Sequence, residues 1–268
     1  MALIAGILQG VTEFLPISSS GHLVLFHDIL GFSFSDDLAF DVVLHLGTLM
    51  ALLLFFRREI LIYLKAFCQS FRHWNLKNDS NQRLAWYLLA ATLPAGLAGY
   101  LWQDQIENSL RSVMVVVVTL IGFGIVLYSA DKLFAKVREI TELHFGSALL
   151  IGLAQAVALV PGVSRSGITI IAGLTQKLKR EAAARFSFLL SIPIVFGAGI
   201  KKISDLFSGP PLASAELISL ILGFLSSALV GYFCIKYFLK FLQNHSLKVF
   251  AYYRILLGLI ILVIWYFQ

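Results

Sequence analysis

Charge is what this sequence has least of. Asp, Glu, Lys and Arg together make up 13% of its 268 residues, about half the ~25% of an ordinary soluble domain. So few charges cannot cover a chain of this length with a polar skin, which excludes a water-soluble globular enzyme. Short alternating strands are missing as well. The apolar runs are about 15–20 residues long, the length of helices, against the ~10-residue strands of an outer-membrane barrel. Cysteine is nearly absent. Cys68 and Cys234 stand alone, in no CxxC or metal-like spacing, and read as incidental thiols. The stretch Met1 to Leu8 has no basic n-region and no cleavage site, so no signal peptide is expected to be removed. What is present in excess is apolar: 59% of residues, with a mean hydropathy of +0.85. The class left is an all-α integral membrane protein. Its net charge of +6 is read as orienting the chain in a membrane, with no nucleic-acid partner expected.

Ten apolar segments run at about 2–15, 21–31, 39–56, 84–102, 113–130, 145–160, 166–176, 184–200, 214–235 and 249–267. Six are long enough to cross ~30 Å of hydrocarbon, which takes about 20 helical residues. The other four form two short pairs, joined by the polar tips Pro16-Ile-Ser-Ser-Ser-Gly21 and Pro161-Gly-Val-Ser-Arg-Ser-Gly167. They read as re-entrant helical hairpins, since irregular backbone at membrane depth is tolerated only where protein or a water-filled cavity satisfies it. A shift of 146 residues aligns the tips without a gap: Gly6 on Gly152, Gln9 on Gln155, Ser18 on Ser164, Ser20 on Ser166, Gly21 on Gly167, and Phe40 on Phe186 beyond them. Later segments match at another offset, Leu97-Ala-Gly-Tyr100 with Leu229-Val-Gly-Tyr232. The chain is therefore expected to be a single membrane domain of two five-segment repeats, about 1–135 and 140–268. An odd number of crossings per repeat turns the second upside down, as in many transporters with a midplane site.

Basic residues are unevenly shared. Sixteen, from Arg57 to Lys248, fall on one side, and Arg111, Lys201 and Lys202 on the other. The positive-inside rule makes the first side cytoplasmic and turns both termini outward. The longest loop, about 57–83, is basic and expected to lie as an amphipathic stretch on the cytoplasmic surface.

The remaining polar residues gather at the tips. Gln9 and Glu13 share a helix face, and an acid near a bilayer centre costs ~2.5–3.5 kcal/mol on insertion scales, so Glu13 is a functional candidate unless it merely meets water at a helix end. Ser18, Ser19, Ser20 and Gly21 precede a helix. Hydroxyl caps, free first-turn N–H groups and the helix dipole there make an anion site, although capping alone is the plainer reading. His22 has the free pKa suited to proton transfer. In the second tip, Ser164, Ser166 and Thr169 supply hydroxyls and Arg165 a fork of donors that matches phosphate oxygens; its plainer reading is an ion pair with Glu13. The repeats share scaffold positions and differ at Ser19/Arg165, Glu13/Leu159 and His22/Ile168, which divides the chemistry between them. Together these residues describe a site for a polyanion, most simply phosphate or pyrophosphate. Asp41 and His45 either line this cavity or make a structural hydrogen bond. Arg254, five or six residues into the last span, is expected to snorkel to the cytoplasmic surface. Gln155 is expected to be a structural hydrogen-bonder, Pro94 and Pro193 to mark kinks, and Trp265-Tyr-Phe267 to belong to an interface belt.

Gln9-Gly-Val-Thr-Glu13-Phe-Leu-Pro-Ile-Ser-Ser-Ser-Gly-His22 and Pro161-Gly-Val-Ser-Arg-Ser-Gly-Ile-Thr169 resemble the two signatures of the bacterial undecaprenyl-diphosphatases, also called bacitracin-resistance proteins. The likeness runs through nearly the whole chain. One departure stands out: many members carry Glu at the position of Gln9, so here Glu13 is the only acid of its box. The resemblance implies an inner-membrane hydrolase that opens to the outer face. It would take the terminal phosphate from undecaprenyl diphosphate, a polyprenyl diphosphate lipid, and return the monophosphate carrier to cell-wall synthesis. It also implies dependence on a divalent cation, Mg²⁺ or Ca²⁺, with Glu13 either its ligand or a general base. Ser19 is the expected nucleophile if a phospho-enzyme forms, with Ser18 or Ser20 as alternatives, and Gln9 and the tip hydroxyls are expected around the phosphate. Arg165 would stabilise transition-state charge and His22 would move the proton. The rival class is a transporter or flippase of a lipid phosphate, which the repeat would suit as well.

Overall fold

The computed structural model describes residues 1–30, 37–110, 112–208 and 213–267. Eleven helices account for nearly all of them: α1 (Ala2–Thr12), α2 (Ser19–Leu30), α3 (Asp37–Phe55), α4 (Arg57–Ser70), α5 (Ser80–Ser109), α6 (Val113–Leu133), α7 (Phe145–Val157), α8 (Arg165–Thr175), α9 (Arg180–Ser208), α10 (Ser214–Asn244) and α11 (Lys248–Tyr266). Among the described residues the sole strand-like pairing is an isolated bridge between Arg138 and Leu178. In a bilayer an apolar segment of this length is satisfied as a helix, which pairs its own backbone groups.

Five helices are long and apolar enough to cross a membrane: the 80–102 part of α5, α6, the 180–200 part of α9, α10 and α11. A sixth crossing comes from α3 if it is taken with α4, which leaves it at an angle of 79°. The chain is thus a multi-pass membrane protein, and the six long segments of the sequence are these six. The basic stretch after residue 57 is ordered as α4. Arg185 of α9 pairs with its Glu59 at 2.5 Å, and Ser70 at its end takes a hydrogen bond from Trp86 of α5 at 3.0 Å. Pro94 and Pro193 lie inside α5 and α9, but the departure from helical angles in α5 falls at Trp102 (φ −119°, ψ 18°). Arg111 lies outside the described residues, and so do the side chains of Lys201 and Lys202.

Contacts among small residues set how the short helices seat. α1 lies on α10 and α7 on α5. A Cβ on Gly6 would stand 2.4 Å from the carbonyl oxygen of Gly223, and one on Gly152 would stand 2.2 Å from that of Ala91. With no hydrophobic drive between helices in lipid, such backbone approach is how they associate. Phe14, fully buried, packs edge-on to Phe188 of α9 at 5.3 Å between centroids, which anchors the chain just after Glu13. Phe40 and Phe186, paired by the 146-residue shift, are both fully buried.

Candidate active site

Two breaks in the helical path create the site. Each falls at a serine with φ 74°, Ser18 and Ser164, a conformation uncommon for any residue but glycine. Each serine then caps the helix it starts. Ser18 Oγ accepts from Gly21 N at 3.2 Å, and Ser164 Oγ accepts from Gly167 N at 3.1 Å. Each hydroxyl also meets the serine two residues on, Ser20 at 3.3 Å and Ser166 at 3.2 Å. The two tips therefore share one local geometry, and the first turns of α2 and α8 keep N–H groups without intrahelical partners.

Glu13 lies where the tips meet. Arg165 Nη2 donates to its Oε1 at 2.7 Å. Ser19 Oγ donates to its Oε2 at 2.6 Å, and Gln9 Nε2 to the same oxygen at 3.0 Å. His45 Nε2 stands 3.5 Å from that oxygen, while its Nδ1 donates to the Asp41 carbonyl at 2.7 Å. Arg165 also reaches the Ser187 carbonyl of α9 at 3.3 Å. The pair is shielded: the side chains of Glu13 and Arg165 are 6% and 14% exposed. Ser19, Ser20 and Arg165 keep partial exposure and form the open part of the constellation.

The other hydroxyls are engaged by protein. Ser166 Oγ donates to the Leu15 carbonyl at 2.9 Å, tying the second tip to the first. Thr169 Oγ1 donates to the Arg165 carbonyl at 2.7 Å and meets Ser187 Oγ at 2.6 Å. These two, with Ser18 and Ser164, are buried and hold the backbone from which α2 and α8 present their N–H groups. His22 is placed differently from its expected neighbours. Its Nδ1 donates to the Ser18 carbonyl at 2.7 Å and its Nε2 meets the Tyr253 hydroxyl at 2.8 Å, so the ring next to Glu13 is that of His45.

A match over nearly the whole chain decides the family. A family model for bacitracin resistance protein BacA matches residues 2–260. The chain belongs to the BacA family. Among its relatives, a protein of Rubrobacter xylanophilus named undecaprenyl-diphosphatase is 46% identical over 261 residues, covering 97% of this chain and 96% of the relative. One from Desulforudis audaxviator with the same name is 44% identical over 262 residues, covering 98% and 96%. A third, from Halothermothrix orenii, is 42% identical over 262 residues, covering 97% and 95%.

Two expectations for this BacA-family chain are corrected. Arg254 does not snorkel. It is 1% exposed and donates to the carbonyls of Leu120 (3.3 Å), Thr119 (3.2 Å), Pro16 (3.3 Å) and Gly162 (2.9 Å). Broken helices leave carbonyls at the tips that need donors, and a guanidinium is the one side chain able to meet so many at once. Gly162 offers its carbonyl there because it has φ +85°, and a Cβ would lie 2.0 Å from Thr119 Oγ1. Gln155 does not show the expected bond either: both its amide atoms are buried without a hydrogen-bond partner among the described residues. Cys234 Sγ donates to the Val11 carbonyl at 3.3 Å, and Cys68 is exposed.

The donor set fits a divalent cation only in part. Among the described residues no three His, Cys, Asp or Glu side chains cluster to hold a metal. Gln9 Oε1, however, is buried with no hydrogen-bond partner, on the side chain whose Nε2 holds Glu13. One carboxylate and a neutral oxygen, completed by phosphate oxygens and water, is a common way to hold Mg²⁺.

Proposed function

We propose that this chain is an undecaprenyl-diphosphatase that works in the inner membrane with its site open to the outer face. It hydrolyses undecaprenyl diphosphate to undecaprenyl phosphate and inorganic phosphate for reuse of the carrier in cell-wall synthesis. The observation that carries the reading is the junction of Ser19, Glu13 and Arg165: a hydroxyl 2.6 Å from a carboxylate that is held in turn by a guanidinium at 2.7 Å. A nucleophile, its base and a group that orients the base, all within hydrogen-bond reach, form the general pattern of an activated nucleophile.

The lipid tail lies among the apolar helices and the diphosphate sits at the tips. Ser19 Oγ attacks the terminal phosphorus as its proton passes to Glu13 Oε2, and the bond to the bridging oxygen breaks to release undecaprenyl phosphate. Glu13 gives that proton up to the departing undecaprenyl phosphate; water then attacks the phosphoserine and passes a proton to the freed carboxylate, which returns it to Ser19 Oγ as inorganic phosphate leaves. Arg165 and the first-turn N–H groups of α2 and α8 stabilise the charge on the transferring oxygens, which is most of what phosphoryl transfer asks of a protein. His45 is the imidazole next to the Glu13 proton, and His22 with Tyr253 orders the first tip. Were Glu13 the metal ligand instead of the base, it and Gln9 Oε1 would hold Mg²⁺ or Ca²⁺ together with the diphosphate, and the cation would neutralise phosphate charge.

We read the scaffold as two inverted five-segment repeats, about 1–135 and 140–268, each with a re-entrant hairpin. Three correspondences support this. Ser18 and Ser164, 146 apart, share φ 74°. Gly6 and Gly152, 146 apart, seat on Gly223 and Ala91, which differ by the same offset as Leu97 and Leu229. The α1–α10 and α7–α5 contacts are then the same contact made twice.

The test is phosphate release from undecaprenyl diphosphate by purified protein in detergent, with and without chelator, for wild type and Glu13→Gln. Release that depends on the cation and is lost in Glu13→Gln supports the reading. No release by wild type, with lipid exchange across vesicles instead, supports a transporter.

A further inference from the structure

Arg254, 1% exposed, is a buried charge that the hydrolytic step does not use. Its partners are four carbonyl oxygens on three separate stretches, α6, the first tip and the second tip, and it joins none of the carboxylate pairs found among the described residues. A buried cation without a counter-charge is costly to keep. What it achieves is geometric. Pro16 and Gly162 are repeat mates under the 146-residue shift, so one guanidinium bridges the equivalent carbonyls of both tips. Pro16 stands three residues from Glu13 and three from Ser19; Gly162 stands three from Arg165. Thr119 Oγ1 reinforces the same joint by donating to the Pro161 carbonyl at 2.9 Å. Lysine could not replace the bridge, having a point charge and three donors where arginine has a planar fork of five.

We propose that Arg254 is a positioning residue for hydrolysis. It fixes the spacing of the two tips and so aligns Glu13 and Ser19, carried by one, against Arg165, carried by the other. This rests on the hydrolase reading above. Each tip keeps its own cap and N–H groups without the brace, so ground-state binding survives. The transition state needs both tips in register, and a misplacement near 1 Å can cost about 10²-fold in rate.

The experiment measures kcat and KM for phosphate release from undecaprenyl diphosphate by wild type, Arg254→Lys and Arg254→Met, with a thermal unfolding midpoint for each. We expect Arg254→Lys to fold and to lose about tenfold or more in kcat with KM changed less than about threefold, and Arg254→Met to lose more. Thr119→Val removes one tie without touching a charge, so it carries the test if Arg254→Met does not fold; its kcat should fall about threefold to tenfold at unchanged KM. Folded variants with wild-type kcat overturn the proposal. So does a loss confined to KM, which would make Arg254 a binding charge. A wild type that releases no phosphate overturns the hydrolase reading and this proposal with it, whereas an active wild type beside unaffected variants overturns this proposal alone.

Discussion

Replacing Arg165 with alanine should do two separable things. First, it strands Glu13. The carboxylate is 6% exposed and would lose its 2.7 Å partner while keeping Ser19 and Gln9. Removing one member of a buried ion pair costs about 3–5 kcal/mol of stability, because the other charge is left uncompensated. Second, it removes the charge that meets the developing negative charge on phosphate. Loss of one such donor costs at least ~10²-fold in rate, or ~2.7 kcal/mol of barrier. Thermal unfolding in detergent reads the first effect and phosphate release at saturating substrate reads the second. Adding Glu13→Gln should separate them. The double variant no longer buries a lone carboxylate, so its unfolding midpoint should return most of the way to wild type, while its activity stays lost. A double variant no more stable than Arg165→Ala would show that the pair is not mutually dependent. Wild-type release by Arg165→Ala would falsify the catalytic assignment outright.

Other substitutions probe the remaining parts. Ser19→Ala should lower kcat at least ~10²-fold if the serine is the nucleophile; a fall below tenfold means that water attacks phosphorus directly. His45→Gln should reduce phosphate release more than His22→Gln, since His45 stands 3.5 Å from Glu13 and His22 is bound to Ser18 and Tyr253; the opposite order puts the proton on His22. Gly152→Val should abolish folded protein in size-exclusion profiles, because its Cβ would meet the Ala91 carbonyl at 2.2 Å, while Gly146→Ala, with nothing within 4 Å, should elute as wild type. If Gly152→Val elutes normally, the α7–α5 approach is not as tight as described.

The parts of the site that lie close along the chain were legible in the sequence, and the parts brought from afar were not. Periodicity and tip spacing place Gln9, Glu13 and Ser19 together, and the shift by 146 matches Ser18 to Ser164, which share φ 74°. Polarity in an apolar setting also pointed to Arg165. Arg254 obeyed the same logic but sat within reach of a helix end, where a long cation ordinarily finds water. Only the packing of α11 on α6 and the tips shows that it is enclosed. The sequence leaves His45 open between cavity lining and a structural contact, because its approach to Glu13 depends on how α3 sits beside α1. The helix α4 read as a surface stretch because its residues are amphipathic, and its sharp turn away from α3 is a tertiary outcome. In each case the missing information was a contact across many residues, which residue type and spacing do not carry.

One direct measurement decides whether the joined tips hydrolyse a diphosphate or merely hold or carry it. The measurement is the product balance of purified wild type given undecaprenyl diphosphate in detergent. A hydrolase yields one inorganic phosphate and one undecaprenyl phosphate for each substrate consumed, over many turnovers. Bound lipid recovered intact, with no phosphate released, would contradict hydrolysis.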